Sequence, residues 1–175
     1  GNAVVDVITH AGDSFLDLMG IEKGIMQLVD RDRSETLYAA MNDRLQTPGG
    51  AVANTVAGVG SLGLQTAFIG RVRDDALGQF YASAMTDNGI DFVNTPVTGS
   101  EVPTSRSMIF VAPDGERSMN TYLGISTELT SADVPADVAG NARIMFLEGY
   151  LFDHDAGKTA FREAARATKA GGGIA

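Results

Sequence analysis

The fold of this chain is decided between residues 48 and 89, where the sequence reads PGGAVANTVAGVGSLGLQTAFIGRVRDDALGQFYASAMTDNG. Small apolar residues at 51–62 predict a helix, and the apolar stretch 66–69 predicts a strand. Asp74 or Asp75 then caps a second helix, whose apolar residues recur on one face until a glycine ends it. This alternation is typical of a parallel sheet covered by helices.

Short elements precede this stretch. The β-branched run 3–8 predicts a buried strand, and residues 13–19 predict a short helix that has an Asp or Ser cap and ends at a glycine. Residues 26–29 predict another strand. Asp30 and Asp32 are placed to cap a helix with apolar residues at helical spacing.

An antiparallel insertion follows the stretch. Residues 104–112 and 117–123 are strand-like, and Pro, Asp and Gly in the connection 113–116 favour a tight turn, so a β-hairpin is predicted. The alternation then resumes with a predicted buried strand at 143–147 and a helix at 155–169.

Composition excludes several classes of protein. Hydrophobic residues make up 44% of the 175 residues and charged residues 20%, which is typical of a soluble globular domain. The net charge of −9 without a basic stripe argues against a nucleic-acid partner, and no apolar run is long enough to span a membrane. The absence of cysteine excludes disulfides and thiolate metal sites and is compatible with the cytoplasm, where we expect the protein.

Two local patterns invite a functional reading that their context disfavours. A dinucleotide-binding fingerprint occurs at 58–63, but it follows a helix and precedes a strand, the reverse of the order that binds pyrophosphate. Asp153, His154 and Asp155 form a possible metal cluster, but they fall at the start of a helix, where capping explains them better. No metal site is therefore expected.

A different group of residues favours a polar ligand. Gly49 and Gly50 precede a helix, so a ligand can approach the backbone and the free amides of the first turn, toward which Asn54 would also point. Asp6 lies in an apolar strand, where an ionised carboxylate is costly unless it is paired or solvated at a site. It is either a clamp for a vicinal diol, at the carboxyl end of the first strand, or simply the polar end of that strand.

Four short motifs occur along nearly the whole chain in this order: Gly1-Asn2-x-x-x-Asp6, Gly49-Gly50 with Asn54, Gly70-x-Val72-x-x-Asp75-x-x-Gly78, and Pro103-Thr104 opening the hairpin. Together they resemble the ribokinase-like (PfkB-type) carbohydrate kinases, and most closely the adenosine kinase branch. Arg73 departs from the pattern, because the family more often has glycine there.

The resemblance implies an α/β fold, a partial ribokinase-like doubly wound sheet with a small β-rich lid. Since the chain begins in a strand-like segment and stops in glycines after a helix, we expect it to be the N-terminal portion of a longer protein. The implied core comprises residues 1–8, 47–97 and 126–175, and the implied lid comprises 9–46 and 98–125, with its hairpin at 104–123.

The resemblance also implies a substrate site. Asp6 and Asn54 would bind ribose hydroxyls, and Gly49 and Gly50 would lie against the sugar. Arg117 would neutralise phosphate charge, with an ordinary exposed hairpin arginine as the alternative. The other implied binding residues are Asn2 beside Asp6 and, around a base, Gln27, Met119, Thr121, Leu123 and Tyr150, the last with ordinary packing as its alternative.

The implied activity is the transfer of phosphate from ATP, with Mg²⁺, to a hydroxymethyl group of a sugar or nucleoside. The family's general base lies in a Gly-Ala-Gly-Asp motif, which this sequence lacks, so no catalytic residue is expected here and ATP and Mg²⁺ should be bound mainly beyond Ala175. Two alternatives stay open, a kinase for a free sugar such as ribose or fructose, and a sugar-binding or self-association module without kinase activity. A homodimer through the lid is also possible.

Overall fold

The computed structural model describes residues 1–175 and confirms the predicted α/β class. Three 3-10 helices, Gly124–Glu128, Ser131–Asp133 and Gly149–Asp153, supplement the strands and α-helices. The strands are β1 (Val4–His10), β2 (Met26–Leu28), β3 (Leu45–Gly49), β4 (Thr66–Phe68), β5 (Ile90–Phe92), β6 (Ser105–Val111) and β7 (Arg117–Tyr122), and the helices are α1 (Asp13–Leu18), α2 (Arg31–Ala40), α3 (Ala51–Ser61), α4 (Ala76–Asp87), α5 (Ala136–Asn141) and α6 (Asp155–Ala170).

The strands form two separate sheets. Five of them make a mixed sheet in the order β2-β7-β6-β1-β3, and β4 and β5 make a two-stranded parallel sheet. In the larger sheet β1 runs parallel to β6 and antiparallel to β3, while β6 and β7 form the antiparallel hairpin. The hairpin therefore lies outside the parallel sheet of β4 and β5.

The strand pairing corrects the boundaries expected for the lid. β1 pairs with β6 along its whole length, from Val4 opposite Ser105 to His10 opposite Val111. A boundary at residue 8 would cut β1, and a boundary at residue 46 would cut β3, because both strands belong to the hairpin's sheet. The division into core and lid stays a proposal, in which the five-stranded sheet would be the lid.

The strand predicted at 143–147 is absent. Only Ile144 forms a bridge, to Ile174, and both Ile144 and Phe146 are exposed. A strand exists only where a neighbour completes its ladder, and this chain provides a single bridging residue. By contrast, β3, β5 and α5 were not predicted: β3 contains a proline and a glycine, which disfavour strands, and β5 has only three residues.

One main hydrophobic core joins the larger sheet to the helices. Alternate residues of a strand point to opposite faces, so one face of β1 and β6 contributes buried Val5, Val7, Met108 and Phe110. We call this the core face and the opposite one the Asp6 face. Burial of each such side chain contributes about 1.5–3 kcal/mol. The same cluster includes Leu16 of α1, Leu37 of α2, Phe68 of β4, and Tyr81 and Met85 of α4.

Asp75, in the motif Gly70-x-Val72-x-x-Asp75-x-x-Gly78, joins helix α4 to the β-hairpin. It caps α4, as predicted, with Oδ1 accepting a hydrogen bond from the Gly78 amide at 2.9 Å, while Oδ2 accepts one from the Thr104 amide at 3.0 Å. Thr104 Oγ1 in turn accepts a hydrogen bond from the Arg73 amide at 3.0 Å. The start of α4 is thereby tied to the start of the hairpin.

The other predicted caps have mixed outcomes. Asp30 caps α2, accepting a hydrogen bond from the Arg33 amide at 2.8 Å. The N-cap of α1 is Gly12, which has no capping side chain, so the Asp or Ser cap expected there is wrong. No helix in the chain combines the length and apolarity that crossing a membrane requires.

Candidate functional site

Asp6 lies within β1, as the third of its seven residues, and not at the end of the strand as expected. The reason is that β6 pairs with β1 as far as His10, which extends the strand by four residues beyond Asp6. Its backbone partners are Thr47 of β3 and Ser107 of β6. The side chain therefore projects from the middle of the sheet, on the face opposite the core.

The carboxyl group of Asp6 is half-buried and has no hydrogen-bond partner in the protein. Burial alone raises the pKa of Asp6 from its ordinary 3.8 to about 6. A carboxylate that is partly removed from water without compensation is ready to accept hydrogen bonds from a ligand.

The two glycines lie where side chains would collide with this neighbourhood. A Cβ on Gly49 would stand 2.3 Å from Asp6 Cγ. Gly50 has φ of 98°, and a Cβ there would stand 2.5 Å from the carbonyl oxygen of Asn2. Gly50 is also the N-cap of α3, and it leaves the first-turn amides without a side-chain cap.

A second carboxyl group, which the sequence analysis missed, lies beside Asn2. Glu148 is buried, its Oε1 accepts a hydrogen bond from the Asn2 amide at 3.1 Å, and its Oε2 is buried with no partner. Asn2 Oδ1 accepts a hydrogen bond from the hydroxyl of Ser126 at 3.0 Å. The sequence signal that could have pointed to Glu148 is its position as a charged residue between an apolar run and Gly149.

Tyr81 forms a hydrogen bond to Gly49, and the charges of Asp6 and Glu148 affect its hydroxyl group. Its hydroxyl donates to the carbonyl oxygen of Gly49 at 3.2 Å. Burial, with smaller contributions from the charges of Asp6 and Glu148, raises the pKa of Tyr81 above its usual range, so the phenol keeps its proton. The sequence marked Tyr81 only as part of an apolar helix face.

Two rows of side chains cross the Asp6 face from strand to strand, as the register of the sheet requires. The hydroxyl row consists of Thr47, Asp6, Ser107 and Thr121, on β3, β1, β6 and β7. The apolar row beside it consists of Leu45, Ile8, Ile109, Met119 and Met26.

Gln27 does not join this group. It pairs with Asn120 in the sheet, and its Nε2 donates to Asn120 Oδ1 at 2.7 Å. Asn120 is opposite Met108, which lies on the core face. The strand alternation thus places Gln27 on the other side of the sheet from Met119 and Thr121, and its binding role stays a prediction.

The structure does not bring four other predicted residues against Asp6. Asn54 is exposed in α3, and Tyr150 is exposed in the 3-10 helix at 149–153. Leu123 directly follows β7, with its carbonyl accepting a hydrogen bond from Ser126 at 2.6 Å. Arg117 is exposed opposite Val111, about 13 Å along the strand from Ser107. Their binding roles stay predictions.

Metal-ligating side chains are not clustered in this chain. No three His, Asp or Glu side chains are placed to hold a metal ion. In the 153–155 cluster, His154 is the N-cap of α6, and Asp155 pairs with Lys158 at 3.1 Å. We therefore derive no step of phosphate transfer through residues of this chain.

This arrangement offers a ligand a carboxylate group that accepts hydrogen bonds and backbone amides that donate them. Asp6 accepts hydrogen bonds, and the first-turn amides of α3 donate them. Acidic acceptors beside an open backbone suit a neutral polyol, whose hydroxyls both donate and accept.

Comparison with known proteins agrees with this fold. The family described as pfkB family carbohydrate kinase matches residues 19–174, so the chain belongs to that family. Its structure is similar to the adenosine kinase from Sinorhizobium meliloti, with a TM-score of 0.86 and 47% identity over 99% of this chain and 53% of that one.

Curated relatives match more distantly. The aminoimidazole riboside kinase of Salmonella typhimurium is 36% identical over 97 residues, covering 54% of this chain and 30% of the relative. Fructokinase-1 of Zea mays is 29% identical over 132 residues, covering 74% of this chain and 41% of the relative. The chain thus spans less than half the length of these two curated relatives.

Proposed function

We propose that the full-length protein containing this chain phosphorylates a hydroxymethyl group of a nucleoside, using ATP, and that this segment holds the substrate. The observation that carries the proposal is Asp6, a half-buried carboxylate without a protein partner beside a glycine that keeps its surroundings open. ATP and Mg²⁺ would be held mainly by residues outside the chain.

In this proposal each residue of the site binds and does not react. Asp6 accepts hydrogen bonds from two neighbouring sugar hydroxyls, which compensate for its lost hydration. Gly49 and Gly50 allow the sugar ring to approach the backbone, and the amides at the start of α3 donate to its oxygens.

A nucleoside is favoured over a free sugar by two of the relatives, which are named for adenosine and for aminoimidazole riboside. The fructokinase relative supports the alternative, a free sugar such as fructose. A sugar-binding or self-association module without kinase activity is the non-enzyme alternative. A Gly-Ala-Gly-Asp motif elsewhere in the full-length sequence would support the kinase, and its absence would support the module.

The test is a pair of substitutions in the full-length protein, Asp6→Ala and Asp6→Asn. Because each removes charge-assisted hydrogen bonds to the substrate, kcat/KM for the preferred substrate should fall by about a hundredfold or more. Asp91→Asn, at the exposed position of strand β5, is the matched control and should retain wild-type kinetics. Lost stability with near-normal kinetics in the Asp6 variants would make Asp6 a structural residue and contradict the proposal.

The predicted cytoplasmic location and the predicted homodimer through the lid remain separate proposals. Light scattering of the full-length protein, compared with its expected monomer mass, tests the dimer.

A further inference from the structure

Arg106 is a buried cation on the core face of the larger sheet. It is the backbone partner of Val5 and lies two residues before Met108, so strand alternation directs its side chain toward the helices and away from Asp6. Only 8% of its surface is exposed, and burial lowers the pKa of its guanidinium. A buried charge of this kind is destabilising unless a counter-ion compensates for the lost water.

The groups in contact with Arg106 carry no negative charge. Its Nε donates a hydrogen bond to the hydroxyl of Ser34 at 2.7 Å, and its guanidinium carbon lies 4.7 Å from the centre of the Tyr38 ring. Ser34 and Tyr38 are one turn apart on α2, so this helix covers the guanidinium. The Nη2 atom of Arg106 is buried and has no hydrogen-bond partner in the chain.

Two carboxylates attract Arg106 from a distance, but both are bonded to other groups. Glu35 is exposed and pairs with Nε of Arg31 at 2.9 Å. Asp75 uses both of its oxygens to accept hydrogen bonds from backbone amides. Their attraction does not offset the loss of hydration, since the pKa of Arg106 is lowered overall. The chain therefore supplies no counter-ion in contact with this guanidinium.

A second unused donor lies on the same face. Asn120 of β7 is fully buried, its Oδ1 accepts a hydrogen bond from Gln27, and its Nδ2 has no partner. Because Asn120 pairs with Met108, it is the diagonal neighbour of Arg106 across the hairpin, roughly 7–8 Å away. A water molecule at these donors would bring two hydrogens of its own beside Met108 and would leave the charge uncompensated. An anion accepts both hydrogen bonds and neutralises the charge.

We propose that a small monovalent anion of the size of chloride binds beneath α2, at Nη2 of Arg106, with Nδ2 of Asn120 as a second donor. The ligand accepts and does not donate, because both free groups are donors. It is small because both groups are buried, and monovalent because one guanidinium neutralises one charge. The anion holds α2 against the hairpin. Its binding is independent of the proposed function, since Arg106 and Asp6 lie on opposite faces of the sheet.

The test is thermal unfolding of the full-length protein in sodium chloride and in sodium gluconate at one ionic strength. Gluconate is too large for a buried site and keeps the screening of surface charges constant. Raising chloride from about 10 mM to about 500 mM should raise the wild-type unfolding midpoint by about 2–4 °C, because the anion binds the folded state. In Arg106→Met this rise should disappear. Arg44→Gln is the matched control and should keep it, since Arg44 lies against the same Tyr38 ring but is exposed.

A second variant supplies the counter-ion from within the chain. Ser34→Asp places a carboxylate beside Nε of Arg106, so it should raise the midpoint in gluconate and make chloride ineffective. Should Arg106→Met fail to fold, this variant carries the test. A crystal of the full-length protein soaked in bromide should show anomalous scattering at Nη2 of Arg106.

Three outcomes would overturn the proposal. One is a wild-type midpoint that chloride does not change, and another is a chloride effect that persists in Arg106→Met or Ser34→Asp. The third is a carboxylate from the remainder of the full-length protein at Nη2 of Arg106. An equal loss of the chloride effect in Arg44→Gln would indicate a general effect of salt and would also contradict the site.

Discussion

At the scale of single residues, Asp6 lowers the stability of the folded chain and leaves a carboxyl group free to bind a ligand. Its carboxyl group gives up part of its hydration on folding and receives no hydrogen bond in return. The folded chain therefore carries an electrostatic cost that a bound polyol would relieve. Such uncompensated groups are typical of binding sites, where the missing partner is the ligand.

The first prediction follows from the raised pKa of Asp6. Its folded-state pKa, about 6, exceeds the ordinary 3.8, so the folded state binds the proton more tightly, and stability is lost as pH rises between these values. Asp6→Asn should thus raise the free energy of unfolding near pH 7 by about 1 kcal/mol, allowing for water that still reaches the carboxyl group.

Urea unfolding of the wild type and Asp6→Asn at pH 7 and below pH 4 measures this difference. At a pH well below 3.8 the wild-type carboxyl is protonated in both states, and the two proteins should be equally stable. A variant that is less stable at pH 7 would show that Asp6 has a structural partner.

The second prediction separates the two neighbouring glycines. In Gly49→Ala the new Cβ meets only the movable end of the Asp6 side chain, so substrate affinity should fall at least about tenfold with little change in stability. In Gly50→Ala the Cβ meets a backbone oxygen at a positive φ, so stability should fall by about 1–3 kcal/mol. Thermal unfolding and ligand titration of both variants test this. Equal loss of stability in both would contradict the contacts described here.

At the scale of elements, local signals predicted most helices and strands, whereas pairing decided the exceptions. Helix caps depend on a few adjacent residues, so Asp30 and Asp75 were predictable. The strand expected at 143–147 depends on neighbours that this chain supplies only at Ile174. The length of β1 depends on β6, which the sequence near Asp6 does not reveal.

The third prediction concerns the junction of α4 and the hairpin. Asp75→Ala removes the cap of α4 and the acceptor for the Thr104 amide, and should lower the free energy of unfolding by about 2–3 kcal/mol. The adjacent Asp74→Ala is the matched control, since the Asp74 side chain is exposed and accepts a hydrogen bond only from the side chain of Gln79. Chemical denaturation that gives the same small loss for both variants would refute the role of the junction.

At the scale of the whole molecule, the candidate site is assembled from distant segments. Asp6 and the two glycines could be singled out from the sequence because their motifs are local. Glu148 and Ser107 were missed because only the tertiary structure brings them beside Asn2 and Asp6. The sequence also could not predict on which face of the sheet Gln27 lies. A shift of the strand register by one residue would move its side chain to the opposite face.

The fourth prediction is that the chain of residues 1–175, purified alone, transfers no phosphate. It lacks a Gly-Ala-Gly-Asp motif with its base and anion hole, and no acidic cluster fits Mg²⁺. An ATP-coupled assay with adenosine, ribose and fructose should match a mock preparation. Turnover above that background would require a base within this chain.

The pairing of β1 with β6 also has a consequence for biosynthesis. As the chain leaves the ribosome, β1 must wait for a partner that is made about a hundred residues later, which takes about 5–20 s at ordinary elongation rates. Throughout that interval one edge of a valine-rich strand is unprotected and open to intermolecular pairing. A nucleoside added during synthesis cannot shorten the wait, because Asp6 meets Ser107 only when β6 arrives. Rapid overexpression should therefore favour aggregation, and a chaperone that shields the nascent strand β1 should raise the soluble yield.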